Sequence, residues 1–356
     1  MKILILCKRR PMGRDLFTSP YGRFYHLALY LAELGHNVDL WLMSYRSGEN
    51  EERRVGNLSI KSFNFWSAFS IGLPSLMRRA SEKDPDWIIG FSDTYYGVLA
   101  NHLAKKLGKR ALIDAYDNYE SYMPLAWPLH WLWRRSLSEA DHITCAGPSL
   151  VDLLGTYCDK SRITILPMTA DDNFHLNVAT EATREELGLP RHGKLIGYHG
   201  SISHTRDIDL LFQAVRQVRK KNDNVQLVVS GRLGRGVTIP GDVRYIGYVD
   251  AGRIPLFLRA LDLLVVTNKP GRFGNYSYPV KLYEAMVSGT PVVASRTPAI
   301  EWILRNHQEL LVKPGSVMAL AEKIEEVLAL AGIDYQAQPT WKDLAVTLDN
   351  CMLKYR

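Results

Sequence analysis

Cysteine is scarce. The 356 residues contain four, Cys7, Cys145, Cys158 and Cys351. Their spacing fits no zinc motif, and their density is far below that of a disulfide scaffold, so reduced thiols are expected. No grouping of His, Asp and Glu has metal-ligand spacing either, and no metal is expected. No apolar run approaches the roughly 20 residues that a bilayer span needs. In MKILILCKRR the apolar part is too short for a signal peptide, and the basic cluster follows it instead of preceding it. That stretch reads as a first buried strand, and a cytoplasmic location is expected. There is no basic tail and no RNP-like aromatic pattern, so nucleic acid is not an expected partner. Neither a G-x-G-x-x-G fingerprint nor a Walker loop occurs, which argues against a dinucleotide oxidoreductase and a P-loop NTPase. Internal repeats and low-complexity segments are absent as well.

What is present has the balance of a folded protein: 46% hydrophobic and 23% charged residues. The length suggests two domains, each large enough for its own core. The net charge of +7 is spread along the chain, which suits a nucleotide, a phosphate or an anionic membrane surface. Short apolar runs alternate with helical patterns, the signature of parallel α/β layers. Strands are predicted at 3–7, 38–42, 87–90, 111–114 and 142–145, and again at 195–199, 225–230, 243–246, 263–267 and 291–294. Helices are predicted over RFYHLALYLAELGH, ended by Gly35, and over 207–221 and 254–260. Two open α/β sheets follow, one in 1–172 and one in 173–335, with a boundary near ILPMTADDNF (165–174). A last helix falls in 336–356 and is expected to pack back on the first domain.

In open parallel sheets ligands bind at the carboxyl ends of the strands. Each half has a glycine turn after its first strand, SPYGRFYHL with Gly22 and YHGSISHTRDIDLL with Gly200. Either glycine could let backbone approach a ligand closely. The stretch SYPVKLYEAMVSGTPVVAS (277–295) is more specific. Residues 281–288 have helical spacing, Gly289 suits the left-handed position that ends a helix, and Pro291 sits just beyond as a stop. Lys281 and Glu284 then share the opening turn. They are either a capping pair or part of an anion-binding helix start.

Taken together, the pieces resemble the GT-B glycosyltransferases of the family 4 type, which use nucleotide-sugar donors. The second half carries the resemblance in order: LVVSGRL, RYIGYV, ALDLLVVT, SYPVKLYEAMVSGTPVVAS and PAIEWI. The first half adds YGRFYHLALYLAELGHNVDLW and ADHITCAGPSLVDLL. The resemblance implies two Rossmann-like parallel-sheet domains facing a cleft, with the nucleotide sugar as substrate and no resident cofactor.

It also implies roles for particular residues. Glu284 would accept hydrogen bonds from the donor ribose, and backbone at Pro279 and Val280 would meet the diphosphate. Arg206, six residues after Gly200, matches the diphosphate-binding lysine of the family, while Lys281 is either a further phosphate contact or a solvated side chain. Tyr248 and Val249 match the place of the base. Two positions depart from the family pattern. A cation usual after the glycine is Ser201 here, and the first of two glutamates is Tyr276. In the first domain, Tyr21, Gly22 and Arg23 form the acceptor-side or diphosphate loop. Asp117, beside Tyr116 at the end of a strand, is the candidate general base or sugar-orienting group; it is equally a turn former before Asn118. Asp114 and Glu120 stand in reserve. Trp127, Trp131 and Trp133 beside Arg134 and Arg135 suit an anionic membrane surface, and a lipid-linked or glycan acceptor with it, although buried tryptophans explain them equally. The function implied is sugar transfer in cell-surface polysaccharide or glycolipid assembly. The alternatives are a nucleotide-sugar 2-epimerase of the same fold and a non-catalytic nucleotide-sugar-binding partner of another transferase.

Overall fold

The structure is a computed structural model that describes residues 1–46, 48–64 and 73–355. It divides into two compact units, Met1–Met168 with Pro339–Arg356, and Thr169–Gln338. The expected divisions, 172/173 and 335/336, thus move by a few residues. Met168 stays with the first unit, its sulfur 3.8 Å from Arg23 Nη1, while Phe174 accepts a bond from Ser288 in the second.

In the first unit the described residues form one sheet from β1 (Lys2–Lys8), β2 (Asn37–Ser44), β3 (Glu51–Val55), β4 (Leu58–Asn64), β5 (Trp87–Gly90), β6 (Arg110–Ala115), β7 (His142–Cys145) and β8 (Ile163–Ile165). Its order is β3-β4-β2-β1-β5-β6-β7-β8, and every pairing is parallel except β3 on β4. Ile3, Leu4, Ile5 and Leu6 are buried on both faces of β1, as a central parallel strand requires. The edge strand β3, EERRV, is mostly exposed, and its charges guard the sheet edge. Because its register carries no apolar face, this strand left no apolar run in the sequence to find.

The helix Trp341–Leu353 starts at a capping box of Thr340 and Asp343 and belongs to this first unit. Its Trp341 ring stacks on His26 at 6.2 Å, and Asp349 meets His36 Nε2 at 2.8 Å. The Tyr355 hydroxyl donates to the Asp141 carbonyl at 2.8 Å. The last helix therefore returns to the domain in which the chain began.

The second unit carries a wholly parallel sheet of β9 (Lys194–His199), β10 (Val225–Ser230), β11 (Arg244–Tyr245), β12 (Leu263–Val266), β13 (Val292–Ser295) and β14 (Leu311–Val312). The order is β11-β10-β9-β12-β13-β14. From β9 the chain winds outward through β10 and β11, then restarts at β12 and winds the other way. The switch point therefore lies between β9 and β12, where Ile196 pairs with Leu263.

Candidate functional site

The carboxyl ends of β9 and β12 bring His199, Gly200 and Ser201 near Thr267 and Asn268. Two glycines make the turn possible. Gly200 has φ +116° and donates its N–H to the Ser230 carbonyl at 3.0 Å. Gly231 has φ +141°, and a Cβ there would stand 1.7 Å from the Gly200 carbonyl oxygen. Side chains at 231 would collide with the turn, so backbone lies against backbone there. The Ser201 carbonyl accepts from the Tyr198 hydroxyl at 2.7 Å, which pins the next residue.

The helix Val280–Val287 begins at Pro279, which supplies no side-chain cap, and ends before Gly289 at φ +68°. Lys281 lies in its first turn and Glu284 one turn on, so the two do not share the opening turn as expected. Lys281 is neither solvated nor a cap: its Nζ donates to the His199 carbonyl at 2.7 Å and lies 4.6 Å from the Tyr198 ring centre. Burial, and then the Arg206 charge, lower its pKa to about 7, with Glu284 pulling the other way. Glu284 Oε2 stands 3.6 Å from His199 Nε2. Burial, followed by Lys281, pushes the His199 imidazole down to about 3, so this contact joins a carboxylate to a neutral ring.

Arg206 completes the cluster. Its Nη1 donates to Asn268 Oδ1 at 2.7 Å, and its guanidinium lies 4.5 Å from the Phe273 ring centre. Asp207 follows at φ +58° and leads into the helix Ile208–Lys221. Tyr276 is half-buried, its N–H on the Phe273 carbonyl at 3.2 Å. On the β10 side, Val249 N–H donates to Ser230 Oγ at 3.2 Å, and the exposed Tyr248 ring lies 5.2 Å from the Arg232 guanidinium. Glu284, Lys281, Arg206, Gly200 and Ser201 thus belong to one switch-point cluster, with Tyr248 and Val249 at its β10 flank. Sequence reasoning missed His199 and Asn268. Among the described residues, His199 Nε2 and Asn268 Nδ2 are buried without a hydrogen-bond partner. The only sequence signal was position, a polar residue as the last of a strand or just past it.

The first unit corrects several expectations. Gly22, at φ +60°, opens the helix Gly22–Glu33, and the Tyr21 hydroxyl donates to the Pro11 carbonyl at 2.7 Å. Arg23 is not a ligand-facing cation. It is buried, forks onto Asp114 at 2.9 and 2.6 Å, and donates to the Leu166 and Pro167 carbonyls. Asp114 is thereby spent as well, and Thr144 also donates to it at 2.7 Å. Glu120 is buried in a two-point pair with Arg134. Neither reserve carboxylate is available as a base. Tyr116 packs edge-on against Phe24 and Tyr119. Asp117 is half-buried, accepting from Asn118 N–H at 2.8 Å and from the Tyr122 hydroxyl. A further carboxylate, Asp93, caps the helix Thr94–Leu107 at the end of β5, and burial raises it to about 6.

The tryptophan segment divides. Trp127 is 76% exposed and Trp131 57%, with Leu125 at 91% beside them. Trp133 is 3% exposed and packs on Tyr119, so it faces the core and is withdrawn from the surface set. Arg134 is tied to Glu120, whereas Arg135 pairs with Glu139 at 2.9 Å and lies over Trp131. Among the described residues no helix is long and apolar enough to cross a membrane.

Two α/β domains built on mainly parallel sheets, one with a cationic cluster and a helix start at its switch point, have the architecture of the GT-B class. The comparisons place the chain within it. Residues 23–174 match the family Glycosyltransferase Family 4, and residues 179–338 match Glycosyl transferases group 1. The chain belongs to the GT-B glycosyltransferases that carry this family 4 signature.

Among curated proteins it is similar to phosphatidyl-myo-inositol mannosyltransferase of Mycobacterium leprae (strain TN), 30% identical over 162 residues, 43% of this chain and 42% of that one. It is also similar to D-inositol 3-phosphate glycosyltransferase of Corynebacterium aurimucosum, 24% identical over 48% of this chain and 45% of that one. In these two matches the chain spans about half the length of its relative. The lipopolysaccharide core biosynthesis glycosyltransferase LpsE of Rhizobium meliloti (strain 1021) matches at 21% identity over 86% of this chain and 84% of its own. Two solved structures share the fold. Anabaena Alr3699/HepE in complex with UDP-glucose has a TM-score of 0.72 at 15% identity, covering 100% of this chain and 99% of that one. Sucrose-phosphate synthase from Thermosynechococcus elongatus has a TM-score of 0.72 at 16% identity, covering 99% and 94%.

Proposed function

We propose that this chain transfers a sugar from a UDP- or GDP-type nucleotide sugar to a glycan or lipid-linked acceptor in cell-surface polysaccharide or glycolipid assembly. The observation that carries the reading is the convergence of Arg206, Lys281 and a helix start on the β9–β12 switch point, with Glu284 one turn on. Cations and a helix N-terminus suit a diphosphate, and a carboxylate suits a ribose diol. Relatives named for mannosyl transfer and lipopolysaccharide core assembly, and a structural neighbour holding UDP-glucose, support it.

In this reading Glu284 accepts from the ribose hydroxyls, and Arg206, Lys281 and the backbone of Pro279, Val280, Gly200 and Ser201 face the diphosphate. Tyr248 and Val249 meet the base, and Tyr276 lies toward the sugar. Asp117 takes the proton of the acceptor hydroxyl as its oxygen bonds to the anomeric carbon. The nucleoside diphosphate leaves with the electrons of the broken C–O bond, stabilised by Arg206 and the helix start. Tyr21 and Gly22 lie on the acceptor side. The protein works in the cytoplasm without a resident cofactor, and Leu125, Trp127 and Trp131 rest on the membrane that carries the acceptor.

The test is thermal unfolding with UDP, GDP, dTDP, ADP and NAD in turn. A ligand at about 100 times its Kd adds roughly 2.7 kcal/mol to the folded state and raises the midpoint by several degrees. The reading expects one diphosphate class to stabilise the wild type and to lose its effect in Glu284→Ala. No shift with any nucleotide would overturn the donor-site reading itself, and a shift without sugar transfer would favour the nucleotide-sugar-binding partner.

A further inference from the structure

Lys281 occupies the side of Gly200 where a side chain would otherwise sit. A Cβ at residue 200 would come 3.1 Å from Nζ. Anything that approaches the Gly200 backbone from that side therefore meets the amine. The amine donates a hydrogen bond to the His199 carbonyl, and its neighbours balance its charge unevenly. Tyr198 and His199 face it from β9, Arg206 from the turn before Ile208, and Glu284 from its own helix. His199 is neutral, so one carboxylate answers two cations. A half-buried amine beside a guanidinium sheds its proton easily, and an arriving anion reverses the balance. Residue 201, where a cation might share the load, is a serine.

We propose that binding of the nucleoside diphosphate is coupled to uptake of one proton by Lys281, which thereby supplies the second cation of the diphosphate site. The inference rests on the donor-site reading above. Empty, the site holds the amine in its neutral form at mildly alkaline pH, hydrogen-bonded to the His199 carbonyl. Occupied, the phosphate oxygens raise its proton affinity, and the ammonium faces them beside Arg206. His199, held at about 3, stays neutral and does not contribute to the proton count above pH 6. The phosphate's own last ionisation, near 6, is complete above pH 7.5.

The experiment is calorimetric titration of the full chain with UDP and with GDP. Each is run at pH 6.0 and 8.0 in two buffers of different ionisation enthalpy. With the free amine at about 7, close to one proton should enter per nucleotide at pH 8.0 and about a tenth of one through Lys281 at pH 6.0. Between pH 7.0 and 8.5 the Kd should rise about 15-fold. In Lys281→Arg the cation is permanent, so uptake at pH 8.0 and this pH dependence should both disappear while binding persists. The wild-type dependence stands on its own if that variant does not fold. Nucleotide binding without proton uptake at pH 8.0 overturns the coupling and leaves the donor site intact. Failure of both nucleotides to bind overturns the donor-site reading, and the coupling with it.

Discussion

Replacing Arg23 with alanine should destabilise the first unit without touching nucleotide affinity. The guanidinium is buried against Asp114, with side chains 1% and 0% exposed, and it makes two bonds to the carboxylate and two to the Leu166 and Pro167 carbonyls. Its removal leaves a buried carboxylate that keeps the Thr144 hydroxyl but loses both guanidinium bonds. Breaking one side of such a pair costs about 3–5 kcal/mol, because the surviving charge loses its partner inside the protein. For a unit of this size that is roughly 6–20 °C in midpoint. Scanning calorimetry of wild type, Arg23→Ala and Arg23→Met/Asp114→Leu would read it. The double variant removes both charges and should recover much of the loss. Were Arg23→Ala within about 1 kcal/mol of wild type, or the double variant worse than the single, the pair would not hold the fold as argued. A loss of nucleotide affinity in the single variant would return Arg23 to the binding loop.

Gly231→Ala places a Cβ 1.7 Å from the Gly200 carbonyl at a φ of +141° and should weaken nucleotide binding at least tenfold, measured by titration calorimetry. The stability of the second unit should depend on pH through Lys281. Its folded pKa of about 7 lies below the unfolded value of about 10.4, so between those limits the unfolded chain binds more protons. Stability therefore grows as pH rises from 7 towards 10 and is lost as it falls, by at most about 1.4 kcal/mol per unit, and Lys281→Met should flatten that slope in urea unfolding. Trp127→Glu with Trp131→Glu should abolish sedimentation with vesicles containing anionic lipid while leaving nucleotide binding as in the wild type; unchanged sedimentation would remove the membrane from the account.

Central strands were legible because parallel sheets bury both faces. Runs such as those ending in His199 and Ser230 have no other explanation at that length. Among the edge strands β11 was read, as 243–246, but β3 and β14 were not. β3 is charged, and β14 is two residues long. The helix was readable as 281–288 from its spacing, with Gly289 and Pro291 marking its end, and the position of Glu284 followed. What the sequence hid was the partner of each charge. Arg23 sits in a glycine turn like a ligand residue, yet Asp114, 91 residues away, claims it. Glu120 is claimed by Arg134, and the Trp133 ring turns inward within a helix whose Trp127 and Trp131 turn out. Such pairings depend on which helix faces which strand, and local spacing carries no record of that. Lys281 was legible as a residue and illegible as a state, since its burial arises from the β9 turn folding over it.

The central claim is sugar transfer from a nucleotide sugar through the switch-point cluster. The measurement that tests it most directly is incubation of the purified chain with radiolabelled UDP- and GDP-sugars and a membrane lipid extract, following label into the lipid or glycan fraction. The account predicts transfer from one donor, loss of both transfer and nucleotide binding in Glu284→Ala, and loss of transfer with binding retained in Asp117→Asn. Transfer that survives Glu284→Ala undiminished, or nucleotide binding with label entering no acceptor, would contradict it.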